Sequence, residues 1–167
     1  KIVINNAPLL VMDLDDIPLP AVDLLNTARY RQILGRSEFP MQTSRSCPFS
    51  CNFCSSKLYS GRRHRLRNTE SLLDEIALLK KEYQLDLLYI RDELFNGNKK
   101  HAKALLRGMV DRKLDISWFD TNAFHVNGLD EEFLDLCKAS GCIEAIFAIE
   151  SGSARVLEEV MNKRVDL

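Results

Sequence analysis

The sequence predicts an α/β fold in which helices cover a parallel sheet, and three observations carry that reading. From Met41 onward, short apolar runs alternate with longer stretches whose apolar residues recur at the helical period, giving the order βαβαβαβα. The short runs are apolar throughout rather than alternating, as strands buried on both faces require. Each connection is long enough to hold a helix, which a right-handed crossover between parallel strands needs.

In chain order, residues 1–40 hold four of the five prolines, Pro8, Pro18, Pro20 and Pro40, around the acidic and apolar stretch VMDLDDIPLPAVDLL. Proline removes backbone donors and disfavours helix just before itself, so this segment reads as a linker. Only residues 21–34 carry helical spacing, with Leu24, Leu25, Tyr30 and Leu34 on one broad face. The first strand runs to about Thr43. Asn68 or Thr69 then caps a helix bearing Leu72, Leu73, Ile76, Leu79 and Tyr83, with Glu70 in the first turn, where the helix dipole favours an anion. Residues 87–90 form the second strand. Residues 99–113 form a helix that buries Ala102, Leu105, Leu106 and Met109 or Val110, and residues 116–119 the third strand, with Trp118 and Phe119 as its core. The helix at 130–140 ends on Gly141 as a left-handed cap. Residues 142–149 make the fourth strand, after which Ser153 caps a helix carrying Val156, Leu157, Val160 and Met161.

Periodicity does not distinguish an open sheet from a barrel. In either form the ligand end is the carboxyl edge of the strands, which marks the loops after Thr43, Ile90, Phe119 and Ile149. Charge narrows the partners: 23 Lys plus Arg against 24 Asp plus Glu leave a net charge of −1, no field that gathers nucleic acid. Apolar runs such as residues 9–12 and 145–149 fall far short of the roughly 20 residues that span a bilayer. The chain opens on Lys1 with no signal-peptide pattern and reads as an excerpt from a longer protein.

The loop after the first strand reads TSRSCPFSCNFCSS and sets Cys47, Cys51 and Cys54 at C-x3-C-x2-C spacing. Three thiols within eight residues, out of five in the chain, argue against unrelated core cysteines, and an odd number argues against disulfides. Metal binding is the better reading. Structural zinc sites close with four ligands in two separated pairs, and no second C-x2-C exists; the one zinc arrangement available adds His64, which lies in the basic segment GRRHRLR. Three cysteines without a fourth ligand suit an iron-sulfur cluster with one iron left open. Asp92 and Glu93 follow an apolar strand and so sit at the ligand edge. Glu150 precedes Ser-Gly-Ser at a helix start, a combination of carboxylate, hydroxyls and free amides suited to a polar ligand. Asp120, Asn122 and His125 are candidates for a substrate-side loop. Cys137 and Cys142 read as small buried thiols.

CPFSCNFC resembles the cluster motif of the radical S-adenosylmethionine (SAM) superfamily. LDDIPLPAVDLL, GRRHRLRNTESLLDEI, IRDELF and AIESGSARVLEEVMNK are similar to segments of its cobalamin-binding-domain subgroup, the anaerobic magnesium-protoporphyrin monomethyl ester cyclase-like proteins. The resemblance implies a partial (βα) barrel with four βα units of an expected six. It makes residues 1–40 a linker from an N-terminal cobalamin-binding domain and residues 41–167 a radical SAM core cut short at its C-terminus. It implies that Cys47, Cys51 and Cys54 each ligate one iron of a 4Fe-4S cluster whose fourth iron is chelated by S-adenosylmethionine. Phe53 would offer its backbone to the adenine. Glu93, with Asp92 beside it where the family often has Gly-Gly-Glu, would meet the methionine ammonium. Glu150, Ser151 and Ser153 would lie on the ribose and carboxylate segment, where Ala148 replaces a common Gly. The expected enzyme reductively cleaves S-adenosylmethionine, draws electrons from a flavodoxin- or ferredoxin-type donor, acts on a small-molecule or biosynthetic intermediate and works in the cytoplasm. Cobalamin would belong to the full-length protein, since nothing in these residues binds it. The competing reading is a zinc-stabilised, non-catalytic binding module built on the three cysteines and His64.

Overall fold

The structure is a computed structural model that describes residues 10–165. Four parallel strands, β1 (Glu38–Met41), β4 (Leu87–Ile90), β5 (Ser117–Asp120) and β6 (Cys142–Glu144), lie side by side in chain order. Met41 pairs with Ile90 and Ile90 with Asp120, which brings three strand ends level at one edge. Helices α3 (Thr69–Tyr83), α4 (Lys99–Asp111) and α5 (Glu131–Ala139) make the crossovers, α4 packing between the other two. Strands in sequential order with their helices on one side form the arc of a barrel, not a doubly wound sheet.

The helix-facing side is the core. Leu72, Leu73, Ile76 and Leu79 of α3, Ala102, Leu105, Leu106 and Met109 of α4, and Phe133 and Cys137 of α5 meet Phe39, Met41, Leu88, Ile90, Ile116 and Trp118 from the strands. Phe95, Trp118, Phe124 and Phe133 pack edge-on or tilted with ring centres 5.5–6.5 Å apart. The Trp118 indole N–H, buried with them, donates to Ser140 Oγ at 3.0 Å. Caps fall where the side chains indicate: Asn68 Oδ1 accepts from the Glu70 and Ser71 amides, and Asp130 from that of Phe133. Gly141 holds φ at +92°, and a Cβ there would lie 2.2 Å from the Ile116 carbonyl oxygen.

Four features depart from the sequence expectation. The helix expected at 21–34 splits into a short turn, Val22–Leu24, and helix α1, Thr27–Leu34, whose exposed Tyr30, Ile33 and Leu34 leave its apolar side unburied. The fourth strand stops at Glu144 instead of 149. Its pairing with β5 shifts register between Trp118 and Phe119, and the chain beyond pairs instead with the irregular segment around Phe124, whose amide donates to the Ile146 carbonyl. The helix expected after Ser153 is a single wide turn of π type, Val156–Val160, anchored by buried Leu157. Between β1 and α3 the chain also forms a two-stranded antiparallel ribbon, β2 (Ser44–Arg45) with β3 (Arg65–Leu66), and one helical turn, α2 (Ser56–Tyr59). Residues 10–20, within the stretch expected to be a linker, lie against this ribbon: Arg65 donates to the Val11 carbonyl at 2.6 Å and the Asn68 amide to Asp15 Oδ2 at 2.8 Å. Pro8 and the first nine residues fall outside the described residues.

Candidate active site

At the carboxyl edge of the sheet, Cys47, Cys51 and Cys54 line one open cavity of about 280 Å³ together with Phe53, Glu93, Asn122, His125 and Glu150. The loop bearing the cysteines joins β2 to α2, and its shape follows from its anchors. Ser46, just before Cys47, is held at φ +74° by two bonds: its amide donates to Glu93 Oε2 at 3.0 Å and its hydroxyl to the Gly61 carbonyl at 2.6 Å. Further on, the Asn52 amide donates to the Met161 carbonyl and the Asn52 side chain to that of Val160, both at 2.9 Å, while Asn162 Nδ2 donates to the Ser50 carbonyl at 3.0 Å. These three bonds fasten the cysteine loop to the turn more than a hundred residues later. Phe49 stacks on the His125 ring with centres 4.4 Å apart.

Two carboxylates behave differently. Asp92 does not line the cavity; it is buried, accepting from the Thr43 amide at 2.7 Å, the Thr43 hydroxyl at 2.5 Å and the Ser44 hydroxyl at 2.7 Å. Burial raises its pKa and those bonds oppose the rise, so Asp92 serves as a clamp between the end of β4 and the root of the cysteine loop. Glu93 lines the cavity, accepting from the Ser46 amide and the Ser60 hydroxyl. Opposite, Glu150 sits at φ +67° and pairs with the Lys163 ammonium at 3.0 Å, which also donates to the Ala148 carbonyl at 2.5 Å. Ser46, Ala123 and Glu150, all non-glycine residues with positive φ, stand around this one site; such strain persists only where surrounding contacts enforce it.

Burial pushes the Cys47 and Cys51 thiols up from their ordinary value, while Lys163 pulls Cys51 back. Ser151 and Ser153 do not line the cavity: Ser151 Oγ accepts from the Ser153 amide and Ser153 Oγ from that of Val156, so both shape the turn after Glu150. Of the substrate-loop candidates, Asn122 and His125 reach the cavity and Asp120 is buried behind it. Lys163 was not foreseen: its tie to Glu150 spans thirteen residues across a turn, and helical or strand periodicity carries no trace of such a contact. Cys137 is buried as expected; Cys142 is half-buried, and neither lines the cavity.

The donors present fit an iron-sulfur cluster: three free thiols border one cavity, and cluster thiolates each bind a different iron. His64 does not join them. It packs against Gly97, where a Cβ would lie 3.1 Å from its Cε1, and its Nε2 is buried without a partner. Among the described residues no three His, Cys, Asp or Glu side chains stand close enough to hold a single ion. No helix among the described residues is long and apolar enough to cross a membrane.

Comparison with known proteins agrees with this geometry. The chain is 38% identical over 149 residues to an uncharacterised methyltransferase of Pyrococcus horikoshii, covering 89% of this chain and 32% of that protein. It is 33% identical over 173 residues to the cytidylyl-2-hydroxyethylphosphonate methyltransferase of Streptomyces wedmorensis, covering 98% of this chain and 32% of that protein. The chain thus spans about a third of the length of these relatives. In fold it matches the radical S-adenosylmethionine methyltransferase TsrM of Kitasatospora setae, solved with tryptophan and a SAM analogue, at TM-score 0.71 and 25% identity over 86% of this chain and 28% of that one. Residues 41–167 match the family model of the Radical SAM superfamily. The chain therefore belongs to the radical SAM superfamily.

Proposed function

We propose that this chain is the cluster-binding and cofactor-binding part of a radical SAM enzyme, with Cys47, Cys51 and Cys54 each ligating one iron of a 4Fe-4S cluster and S-adenosylmethionine chelating the fourth. The observation that carries the reading is the meeting of the three thiols with Glu93 and Glu150 on one cavity at the ligand edge of the sheet. With both groups bound, Cys47, Cys51 and Cys54 would hold a cluster able to pass on one electron from an external donor, and the chemistry supplied would be reductive cleavage of the sulfonium carbon-sulfur bond, which starts hydrogen abstraction.

The residues of the chain do the rest. Glu93 offers a carboxylate, fixed by Ser46 and Ser60, to the methionine ammonium, and Asp92 supports it by holding Thr43 and Ser44 in place. Phe53 presents its backbone to the adenine from a loop that Asn52 and Asn162 tie down. Glu150, oriented by Lys163, faces the ribose and carboxylate side, with Ser151 and Ser153 setting its turn. Phe49 against His125 closes the flank between the cysteine loop and the loop after β5, helping to exclude water.

In the complete protein we infer that residues 1–40 link this core to a preceding cobalamin-binding domain, that residues 41–167 supply four of six βα units, and that the reaction is methyl transfer or oxidative ring closure on a small molecule. The whole protein would work in the cytoplasm with a flavodoxin- or ferredoxin-type electron donor. The relatives named methyltransferases support the first of the two reactions. To test the core reading, the chain is reconstituted anaerobically with iron and sulfide, reduced, and given S-adenosylmethionine. The expected result is a brown protein with about four irons per chain that forms 5'-deoxyadenosine, and a Cys51→Ala variant that does neither. A colourless protein holding one zinc, or product that persists in the variant, would overturn it.

A further inference from the structure

A second concavity lies outside the cavity just described. It has a volume of about 360 Å³, within the usual range for small-molecule sites, and is formed where the strap of residues 14–20 crosses the outgoing end of β1. One wall is apolar, from Leu14, Ile17, Pro18 and Leu19; the other carries Gln42, Arg45, Arg67 and Arg91. The apolar wall is built into the fold. Leu14 is buried, Asp13 caps its turn by accepting from the Asp15 amide at 3.0 Å, and Asp15 in turn holds the Asn68 amide.

The charge on the opposite wall is unbalanced. Arg67 pairs with Glu75 at 2.6 Å behind the wall, which accounts for one of the three guanidinium groups. Half-buried Arg45 spends only its Nε, on Gln42 Oε1 at 3.2 Å, and the Arg91 side chain donates to no neighbour among the described residues. Among the described residues no carboxylate lines the cavity. Two guanidinium groups without a counter-ion facing an apolar wall are suited to a planar or tetrahedral oxyanion on an apolar body, because guanidinium donates in a fixed fork and the body covers the leucine and proline surface.

We propose that this cavity is a binding site for a soluble organic phosphate or phosphonate, with Arg45 and Arg91 on the oxyanion and Leu14, Ile17 and Leu19 on the apolar body. The site is separate from the cysteine cavity and does not depend on a bound cluster. It is tested on this chain by calorimetry and by amide chemical shifts, with hexyl phosphate, inorganic phosphate and hexanol as probes, and with vesicles carrying phosphatidic acid as a further arm. Hexyl phosphate is expected to bind saturably, shifting the amides of Ile17, Leu19, Gln42 and Arg45. Inorganic phosphate and hexanol should each bind more weakly. Arg45→Gln and Arg91→Gln should each weaken hexyl phosphate by about tenfold or more, the range of a lost charge-assisted hydrogen bond. Arg62→Gln, an exposed arginine off the cavity, should leave the affinity unchanged. Arg91→Gln breaks no side-chain hydrogen bond or ion pair among the described residues, so an unchanged unfolding midpoint is expected beside its loss of affinity. Equal affinity in all three variants, hexanol binding as tightly as hexyl phosphate, binding only to the vesicles, or no saturable binding would each overturn the assignment.

Discussion

The two sides of this sheet are held by different physics. On the helix side, three helices and the strands close around Leu72, Ile76, Leu105, Leu106 and Trp118, each with essentially no exposed surface. At the carboxyl edge, the cysteine loop, the segment after β5 and the turn after Glu150 are fixed mainly by directed bonds, from Asp92, Glu93, Asn52, Asn162 and Lys163. Apolar packing is non-directional and tolerates any chemistry at its border; directed bonds set the position of one atom against another. The structure therefore uses packing to hold the scaffold and polar contacts to hold the candidate ligands.

If that division holds, a core truncation should cost stability without altering the geometry of the cysteine loop. Phe133→Ala empties a fully buried site among Phe95 and Phe124 and should destabilise by about 3–5 kcal/mol in denaturant titration. Under folding conditions its iron content after reconstitution should match the parent chain. A variant that is destabilised and also fails to bind iron would show that the two sides are not separable.

Asp120 lies on the boundary and sharpens the comparison. Its carboxyl is 2% exposed at the end of β5, with Oδ2 lacking a partner, and burial together with the neighbouring Asp92 pushes its pKa from the ordinary 3.8 up to about 7, against the pull of the Asn122 amide. Because the folded state keeps this proton to higher pH than the unfolded chain does, the contribution of Asp120 is fully favourable below pH 4 and is lost as pH rises toward 7. The slope cannot exceed about 1.4 kcal/mol per pH unit. Asp120→Asn should remove this part of the decline and raise stability at neutral pH, measured by urea titration at pH 5 and pH 7. An unchanged difference between the two pH values would exclude Asp120 as its source.

Gly141 tests the scaffold through its backbone. With φ at +92° and the Ile116 carbonyl oxygen 2.2 Å from a built Cβ, Gly141→Ala should cost about 1–3 kcal/mol and loosen the entry to β6. Gly35, also at positive φ but with nothing within 4 Å of a built Cβ, is the comparison: Gly35→Ala should cost less.

How much of this was legible in the sequence divides along the same line. The helix side reads directly, because burial imposes a period: Leu72, Leu73, Ile76 and Leu79 recur as a helix must, and Gly141 marks a turn whose positive φ L residues resist. The carboxyl edge reads only where chemistry forces a local pattern, as in Cys47, Cys51 and Cys54. Lys163, Asn52 and Asn162 act across long separations, so no spacing announces them. Leu24, Tyr30 and Leu34 depart for a related reason: they have a helical period but stay exposed among the described residues, and periodicity alone does not say what an apolar face lies against. The fourth strand ended early because its length depends on its partner, and β5 stops at Asp120 where Ala123 turns to positive φ.

The smallest expected effect bears most directly on the polar side. Asn52→Ala removes one side-chain bond, to the Val160 carbonyl, from an exposed position, and should cost only about 0.5–1.5 kcal/mol of stability. Its consequence should appear locally instead, because Asn162 to Ser50 would then be the remaining side-chain tie between the cysteine loop and the last turn. Amide exchange should quicken at residues 50–54 and 160–163 while the amides of α3 and α4 keep their protection. Exchange that quickened uniformly would mean the loop is held by the global fold, and that the directed bonds at the carboxyl edge are an outcome of the scaffold, not its independent complement.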